Sequence, residues 1–383
     1  MEKMIYLDRS ATTPLCPEAR EAMIAAMDRF GNPSSLHSLG VDAEHIVTEA
    51  RKSLLSALGI PNGAPGELVF TSGGTEANSL AVFGTAHAKP AFRGKRVITT
   101  ADEHPSVLEP MKALEAEGFD VVRIPCPRGV FDFDAFYGAM NKDTFLISVM
   151  SVNNETGAVN DTAKIFFEAK KINPNVVAHT DAVQAFGKLA VNPRRGFADL
   201  VSVSAHKVGG PKGVGALYIS PQTVRTKSIV PFLLGGGQER GMRSGTENTV
   251  GIAGFGAAAS LLPRPDAAIG DIRRKLVSRL PDGTRVNVPG GAYYPGIISL
   301  TCPGIKSETM LHFLSSRGIF VSSGSACSSN GGHTSYVLAD FGLSPKDADC
   351  TVRLSFDGSL TDAEIDEIVS AIADGVSRLQ KMR

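Results

Sequence analysis

The sequence predicts an α/β protein with a seven-stranded, mostly parallel sheet, followed by a smaller α+β unit. Three observations carry that expectation. Between about residues 67 and 220, short apolar runs alternate with amphipathic helical stretches. Most of these runs are continuously apolar rather than alternating, the pattern of strands covered on both faces. The segment LLPRPDA, residues 261–267, then breaks the pattern with two prolines and marks a domain boundary. The expected division is a large domain over 15–262 and a small one over 263–383, the latter joined by the N-terminal segment 1–14.

The runs are Leu68–Phe70, Val97–Thr99, Val121–Ile124, Phe145–Val149, Val176–His179, Leu200–Val203 and Ala216–Ile219. PSVLEPMKALEAEG and DTAKIFFEAKKIN read as helices between them. The last run follows Ser204 through a Gly/Pro-rich loop with no room for a crossover helix, so it is expected to pair antiparallel to its neighbour. Beyond the boundary come strand-like Ile297–Thr301, a helix SETMLHFLSSRG, strand-like Ile319–Ser322 and strand-like Val352–Phe356. A closing helix starts near Thr361, where Thr361 and Glu364 form a capping-box pattern ahead of Ile365, Ile368 and Ile372 at helical spacing.

Composition excludes several classes. The 383 residues carry 39 Lys+Arg against 39 Asp+Glu, so the formal net charge is zero. A direct nucleic-acid binder normally shows a basic excess, and an anionic membrane would ask for the same. No apolar run approaches the ~18 residues of a membrane span, and the start MEKMIYLDRSATTP lacks a secretion-signal layout. A cytoplasmic location is expected. The five cysteines, Cys16, Cys126, Cys302, Cys327 and Cys350, are odd in number and widely spaced, with no C-x-x-C pair. Neither disulfides nor a metal site are expected from that spacing.

In open α/β sheets ligands bind beyond the carboxyl ends of the strands, so the loops there are the ones to read. TSGGTEANSLAVFG is a Gly-rich turn entering a helix, suited to an anion at the helix start with Gly74 and Thr75 nearby, or set by steric need alone. ADEHPSV places His104 before a helix opened by Pro105, where an imidazole stacks on a ring, transfers protons, or simply starts a surface helix. SVNNETG offers Asn154 as a hydrogen-bonding clamp or as part of a polar turn. HTDAVQAFGK sets Asp181 and Gln184 past one apolar strand, and SVSAHKVGGPKGVG sets Ser204, His206 and Lys207 past the next. An acid at such a position needs a cation or donor, and a lysine in that low-dielectric cleft is a candidate Schiff-base amine. Asp181 would then partner a pyridinium nitrogen, as pyridoxal phosphate requires; an Asp/Lys ion pair is the plainer alternative. GGGQERGMRSGTEN, residues 235–248, is too glycine-rich for an element core, and long loops of this kind are usually functional. VSSGSACSSNGGHTSY sets Cys327 among Ser and Gly, the setting of an exposed thiol: a nucleophile, or merely an oxidation-prone group.

Taken in order, YLDRSATTP, GNPSSLHSLG, ELVFTSGGTEANSLA, ADEHPSVL, VNNETG, HTDAVQAFGK, SVSAHKVGGPKGVGALY, GGGQERGMRSGTEN and SSGSACSS closely resemble the cysteine desulfurases of the aminotransferase class V superfamily. The match spans essentially the whole chain and is closest to the long-loop group of nitrogen-fixation and iron–sulfur type. The resemblance implies fold type I of the pyridoxal 5'-phosphate enzymes. It implies that Lys207 forms the internal aldimine, His104 stacks on the pyridine ring, Asp181 pairs with the ring nitrogen and Gln184 bonds the ring oxygen. Gly74, Thr75, Ser204 and His206 would bind the phosphate, and Thr246 would reach the phosphate of the neighbouring subunit of a homodimer. Asn154 and Arg353 would contact the substrate carboxylate, for which a planar guanidinium is well shaped. Cys327 would take up the sulfur.

In the implied reaction L-cysteine displaces Lys207, Lys207 moves the α-proton, and the Cys327 thiolate attacks the substrate sulfur, leaving a persulfide and L-alanine. A sulfur-acceptor protein, an iron–sulfur scaffold or a thiolation protein, would then receive it. Three features depart from the family pattern. Arg9 stands where an aromatic residue or asparagine is usual, the 328–335 segment SSNGGHTS with His333 is less apolar, and the chain ends at Arg383 without the longer tail of housekeeping relatives. Selenocysteine lyase or another class V enzyme is the alternative activity.

Overall fold

The computed structural model describes residues 4–61, 63, 66–88, 94–262, 267–323 and 335–380. All seven apolar runs become strands of one sheet: β2 Glu67–Thr71, β3 Arg96–Thr100, β4 Asp120–Ile124, β5 Thr144–Ser148, β6 Val177–Asp181, β7 Leu200–Ser204 and β8 Gly215–Ile219, after a short β1 Ile5–Tyr6. Their order is β2-β8-β7-β6-β5-β3-β4. Strands β7, β6, β5, β3 and β4 are mutually parallel, and β8 runs antiparallel to both β7 and β2. The expected antiparallel last strand is therefore present, inserted between β2 and β7.

The continuous apolar character follows from burial on both faces. Strands β5, β6, β7 and β8 are buried at every position, whereas edge strand β4 is exposed at Asp120 and only part-buried over the next three residues. Side chains alternate between two cores: Leu68, Phe70, Val201, Val203, Ala216 and Tyr218 enter one, and Val69, Leu200, Leu217 and Ile219 enter the other.

The helices that cover the sheet are α1 Pro17–Met27, α2 Ser38–Ala57, α3 Gly74–Ala86, α4 Pro105–Ala116, α5 Phe133–Ala139, α6 Thr162–Ile172, α7 Pro221–Arg225 and α8 Thr249–Ser260. Helices α3 and α4 supply Ala77, Leu80, Val107, Met111 and Leu114 to one core, while α2, α6 and α8 supply Leu54, Phe166 and Phe255 to the other. The boundary expected at 261–267 falls after α8, and residues 263–266 of it lie outside the described residues.

The remaining elements are α9 Ala268–Val277, β9 Arg285–Val286, β10 Ile297–Thr301, α10 Ser307–Ser315, β11 Ile319–Phe320, β12 Ser322–Ser323, α11 Tyr336–Asp340, α12 Pro345–Asp349, β13 Thr351–Ser355 and α13 Asp362–Gln380. The second sheet, β12-β13-β10-β9, is antiparallel. Thr361 and Glu364 make the expected reciprocal cap: the Thr361 amide donates to Glu364 at 2.8 Å and the Glu364 amide to Thr361 Oγ1 at 3.3 Å. The single strand expected over Ile319–Ser322 is split. Ile319–Phe320 pairs parallel with β1, Ser322–Ser323 pairs with β13, and Val321 turns the chain from one partner to the other. Two different strands claim the two halves, which apolar character alone does not reveal. Pairing with β1, and the bridge from Asp8 to Ser355, bring residues 5–12 against the second sheet and over the end of the first.

Candidate active site

Strands β2, β3, β5, β6 and β7 end on the same edge, and a cavity of about 370 Å³ opens there. Gly74, Thr75, His104, Asn154, Asp181, Gln184, Ser204, His206, Lys207 and Arg353, all singled out from the sequence, line it. Thr246 does not: it is exposed, and one chain does not bring it to the cavity. Cys327 lies outside the described residues. Ser323, before the undescribed stretch, lines the cavity, and Ser335, after it, donates to the lining residue Glu155.

At one end the cavity has the makings of an anion cradle. Thr71 and Ser204 both register with Gly215 across adjacent strands, so β2 and β7 finish level with the turn into α3. Gly73 caps α3 without a side chain, leaving the first-turn amides for other acceptors. A Cβ on Gly74 would meet Val183 Cγ2 at 2.8 Å, and one on Gly215 would meet the Gly73 carbonyl carbon at 2.5 Å. Only glycine allows both approaches. Burial, with the charges of Lys207, Lys212 and Lys188, lowers His206 to about 4, so it stands as a neutral imidazole at pH 7.

At the centre, Lys207 Nζ donates to the Ser10 and Ala11 carbonyls at 2.5 and 2.8 Å. Gln184 Nε2 donates to the same Ser10 carbonyl at 2.8 Å. Asp181 is held from both sides, Oδ1 accepting from the Val183 amide at 2.9 Å and Oδ2 from Asn78 Nδ2 at 2.8 Å. Asn78 also donates to Ser106 Oγ at 2.8 Å, which is 2.8 Å from His104 Nδ1. A polar chain thus runs from Asp181 to the imidazole. His104 caps α4 by accepting the Ser106 amide on Nδ1, so Nε2 is the ring nitrogen left for another partner. Burial and Lys207 lower its pKa against the opposing effect of Asp181.

At the far end, Arg353 on β13 donates from one Nη to Asp8 at 2.8 Å and from the other to the Asn154 carbonyl at 3.0 Å. It is only 7% exposed. The open fork expected for a carboxylate is therefore partly engaged: Asp8 holds one arm, and a second carboxylate has to displace it or use Nε. Burial raises the neighbouring Glu155 to about 7 against the lowering effects of Ser335, whose hydroxyl donates to Oε2 at 2.7 Å, and of the Arg353 charge.

Four lining side chains each present a buried atom with no hydrogen-bond partner: Ser10 Oγ, Asn78 Oδ1, Ser204 Oγ and Arg353 Nε. Each such atom costs about 1–3 kcal/mol when left unmet, so the cavity favours a polar, anionic occupant. Asp8, Ser10, Asn78, Ser106 and Glu155 were not foreseen. Asn78 had a visible signal, an amide one turn after Thr75 on the helix that the Gly-rich turn opens. Asp8 and Glu155 had none. Arg9, which departs from the family pattern, lines an adjoining cavity and pairs with Asp357 at 2.8 Å.

Elsewhere, Cys16, Cys126, Cys302 and Cys350 are all buried, in keeping with packing roles. Asp102, Cys126 and Asp340 bring ligand-type atoms within 4.8 Å of one another, but burial pushes the Asp102 carboxyl and the Cys126 thiol upward, which favours retained protons over a cation. Among the described residues no helix is long and apolar enough to cross a membrane.

Residues 5–368 match the family model described as aminotransferase class-V. A cysteine desulfurase IscS of Aeromonas salmonicida is 40% identical across 100% of this chain and 95% of its own length. A solved NifS-like protein superposes with a TM-score of 0.88 at 33% identity, covering 98% of this chain and 100% of that one. SspA, solved in complex with cysteine, superposes with a TM-score of 0.81 at 33% identity over 94% of this chain and 100% of that one.

Proposed function

The chain belongs to the class V aminotransferase family, and we propose that within it the protein is a pyridoxal 5'-phosphate-dependent cysteine desulfurase, converting L-cysteine to L-alanine and passing the sulfur to Cys327. The observation that carries this reading is the convergence of Lys207, Asp181, His104, the unpartnered Ser204 hydroxyl and Arg353 on one cavity. The donor set suits the cofactor. Ser204 Oγ, the first-turn amides of α3 with Gly74 and Thr75, and neutral His206 would take the phosphate; Asp181 would keep the ring nitrogen protonated, Gln184 would donate to the ring oxygen, and His104 would lie along the ring. When bound, the cofactor supplies an aldehyde for amines and a ring that accepts an electron pair.

The protein's own groups do the rest. Lys207, as a free amine, would carry the substrate α-proton. Arg353 and Asn154 orient the substrate carboxylate, and His104 Nε2 holds or returns the thiol proton. The Cys327 thiolate attacks the substrate sulfur, so the C–S bond breaks as an S–S bond forms and the carbon left behind gains a proton, giving alanine. The persulfide then passes to an acceptor protein of the iron–sulfur or thiolation kind.

A homodimer is supported by apolar side chains left exposed on one chain: Ile24, Met27, Phe30 and Leu36 in one stretch, Leu36 at 98%, and Phe232, Leu233 and Leu234 in another, Leu234 at 79%. The second stretch leads into the loop with Thr246, which would complete the partner's phosphate site. In this reading residues 15–262 fix the cofactor and the remainder, with the N-terminal segment, brings the thiol, all in the cytoplasm. The test is to measure alanine and transferable sulfur from L-cysteine for the parent and for Cys327→Ala. The parent is expected to form both in equal amounts and the variant to lose sulfur transfer. A variant that transfers sulfur from L-cysteine at the parent rate overturns the role of Cys327.

A further inference from the structure

Lys188, four residues after Gln184 in the connection that follows β6, is a charged group that this chemistry leaves unused. It stands between two cavities. It lines the adjoining cavity of about 360 Å³, which shares Ser10 and Lys207 with the active site. Part-buried, its ammonium lies over the Tyr294 ring at 5.7 Å and donates to Gln184 Oε1 at 2.7 Å. On its other side the Gln184 amide nitrogen donates to the Ser10 carbonyl, the same oxygen that holds Lys207.

These two contacts leave the Gln184 amide no choice of orientation. An ammonium can only donate, so it takes the amide oxygen; a carbonyl can only accept, so it takes the nitrogen. We propose that Lys188 is a positioning residue, which fixes the Gln184 amide with its N–H groups toward the cavity and sets a positive charge behind the oxygen of a cofactor ring bound there. The inference rests on the cofactor reading above. Without Lys188 the Ser10 carbonyl, which Lys207 also occupies, is the one contact left to select the amide's orientation, and a turned amide would set its oxygen against an anionic ring oxygen. Burial, with the charges of Lys207, Arg353 and Arg9, lowers the pKa of Lys188 to about 7, so its full charge is present below that pH and fades above it.

The readout is the pH midpoint of the visible absorption of the full-length protein loaded with pyridoxal 5'-phosphate. Losing the donor and the charge near the ring oxygen makes the chromophore hold its proton more tightly. In Lys188→Met the midpoint is expected to rise by about one pH unit, the scale of one hydrogen bond or nearby charge. Lys188→Gln, similar in size and polar, should move it the same way, and Lys188→Arg, which keeps donor and charge, should stay near the parent value. A parent-like midpoint in both neutral variants, or an Arg variant shifted as far as Met, overturns the proposal. A parent protein that develops no visible band with the cofactor overturns the underlying reading, and this inference with it.

Discussion

The two ends of the active-site cavity are built on different principles. Asp181, Ser204 and Lys207 stand at or just beyond the ends of adjacent strands, and their neighbours Asn78 and Ser106 come from the N-terminal parts of α3 and α4. The sheet ladder fixes where these groups leave the backbone, and the N-terminal segment adds the Ser10 and Ala11 carbonyls as partners of Lys207. At the other end, Arg353 is held by Asp8 and Asn154, and Glu155 by Ser335, so residues some 180 to 345 positions apart meet through single side-chain contacts. The first end is set to hold something permanently. The second can trade an internal carboxylate for an external one, as a substrate site must.

If this contrast is right, damage at the sheet edge should abolish chemistry, and damage at the other end should weaken substrate binding. Lys207→Ala carries the largest expected effect: a loss on the order of 10⁴-fold in alanine formation, with the cofactor no longer covalently attached after the loaded protein is denatured. Turnover near the parent level would remove the lysine from the reaction. Arg353→Lys keeps the charge and loses the fork. KM for cysteine is expected to rise roughly 30-fold, about 2 kcal/mol of charge-assisted hydrogen bonding, with kcat changing far less. A large fall in kcat at constant KM would mean that Arg353 belongs with the sheet-edge groups, and the division would fail.

The same contrast explains what could be read from the sequence. The sheet edge was legible because a strand's burial shows as an apolar run, so a polar residue at its end, as in HTD at 179–181 or SAHK at 204–207, marks itself. The other end was legible only through family resemblance. Asp8 precedes Arg9 in an ordinary N-terminal stretch, and nothing local says that it will pair with a guanidinium 345 residues away. The split of Ile319–Ser322 was hidden for the same reason: its cause is the pairing of β1, a contact across almost the whole chain.

Glu155 gives the smallest effect and the finest probe. Its carboxyl titrates at about 7, raised from the usual range by burial, so it is mostly neutral below that pH and mostly anionic above it. The anion lowers the energy of Arg353 in its protein-bound position and repels an incoming carboxylate. KM for cysteine should therefore increase as the pH passes upward through 7, beyond any change due to the substrate's own groups. Glu155→Gln keeps an acceptor for Ser335 and cannot ionise. The ratio of parent to variant KM is then expected to climb from near unity on the acid side to about threefold on the alkaline side, the effect of a partly screened like charge of less than 1 kcal/mol. A ratio that stays flat would show that Arg353 is not contested by Glu155. It would leave Asp8, which no sequence signal foretold, as the only carboxylate that the substrate has to displace.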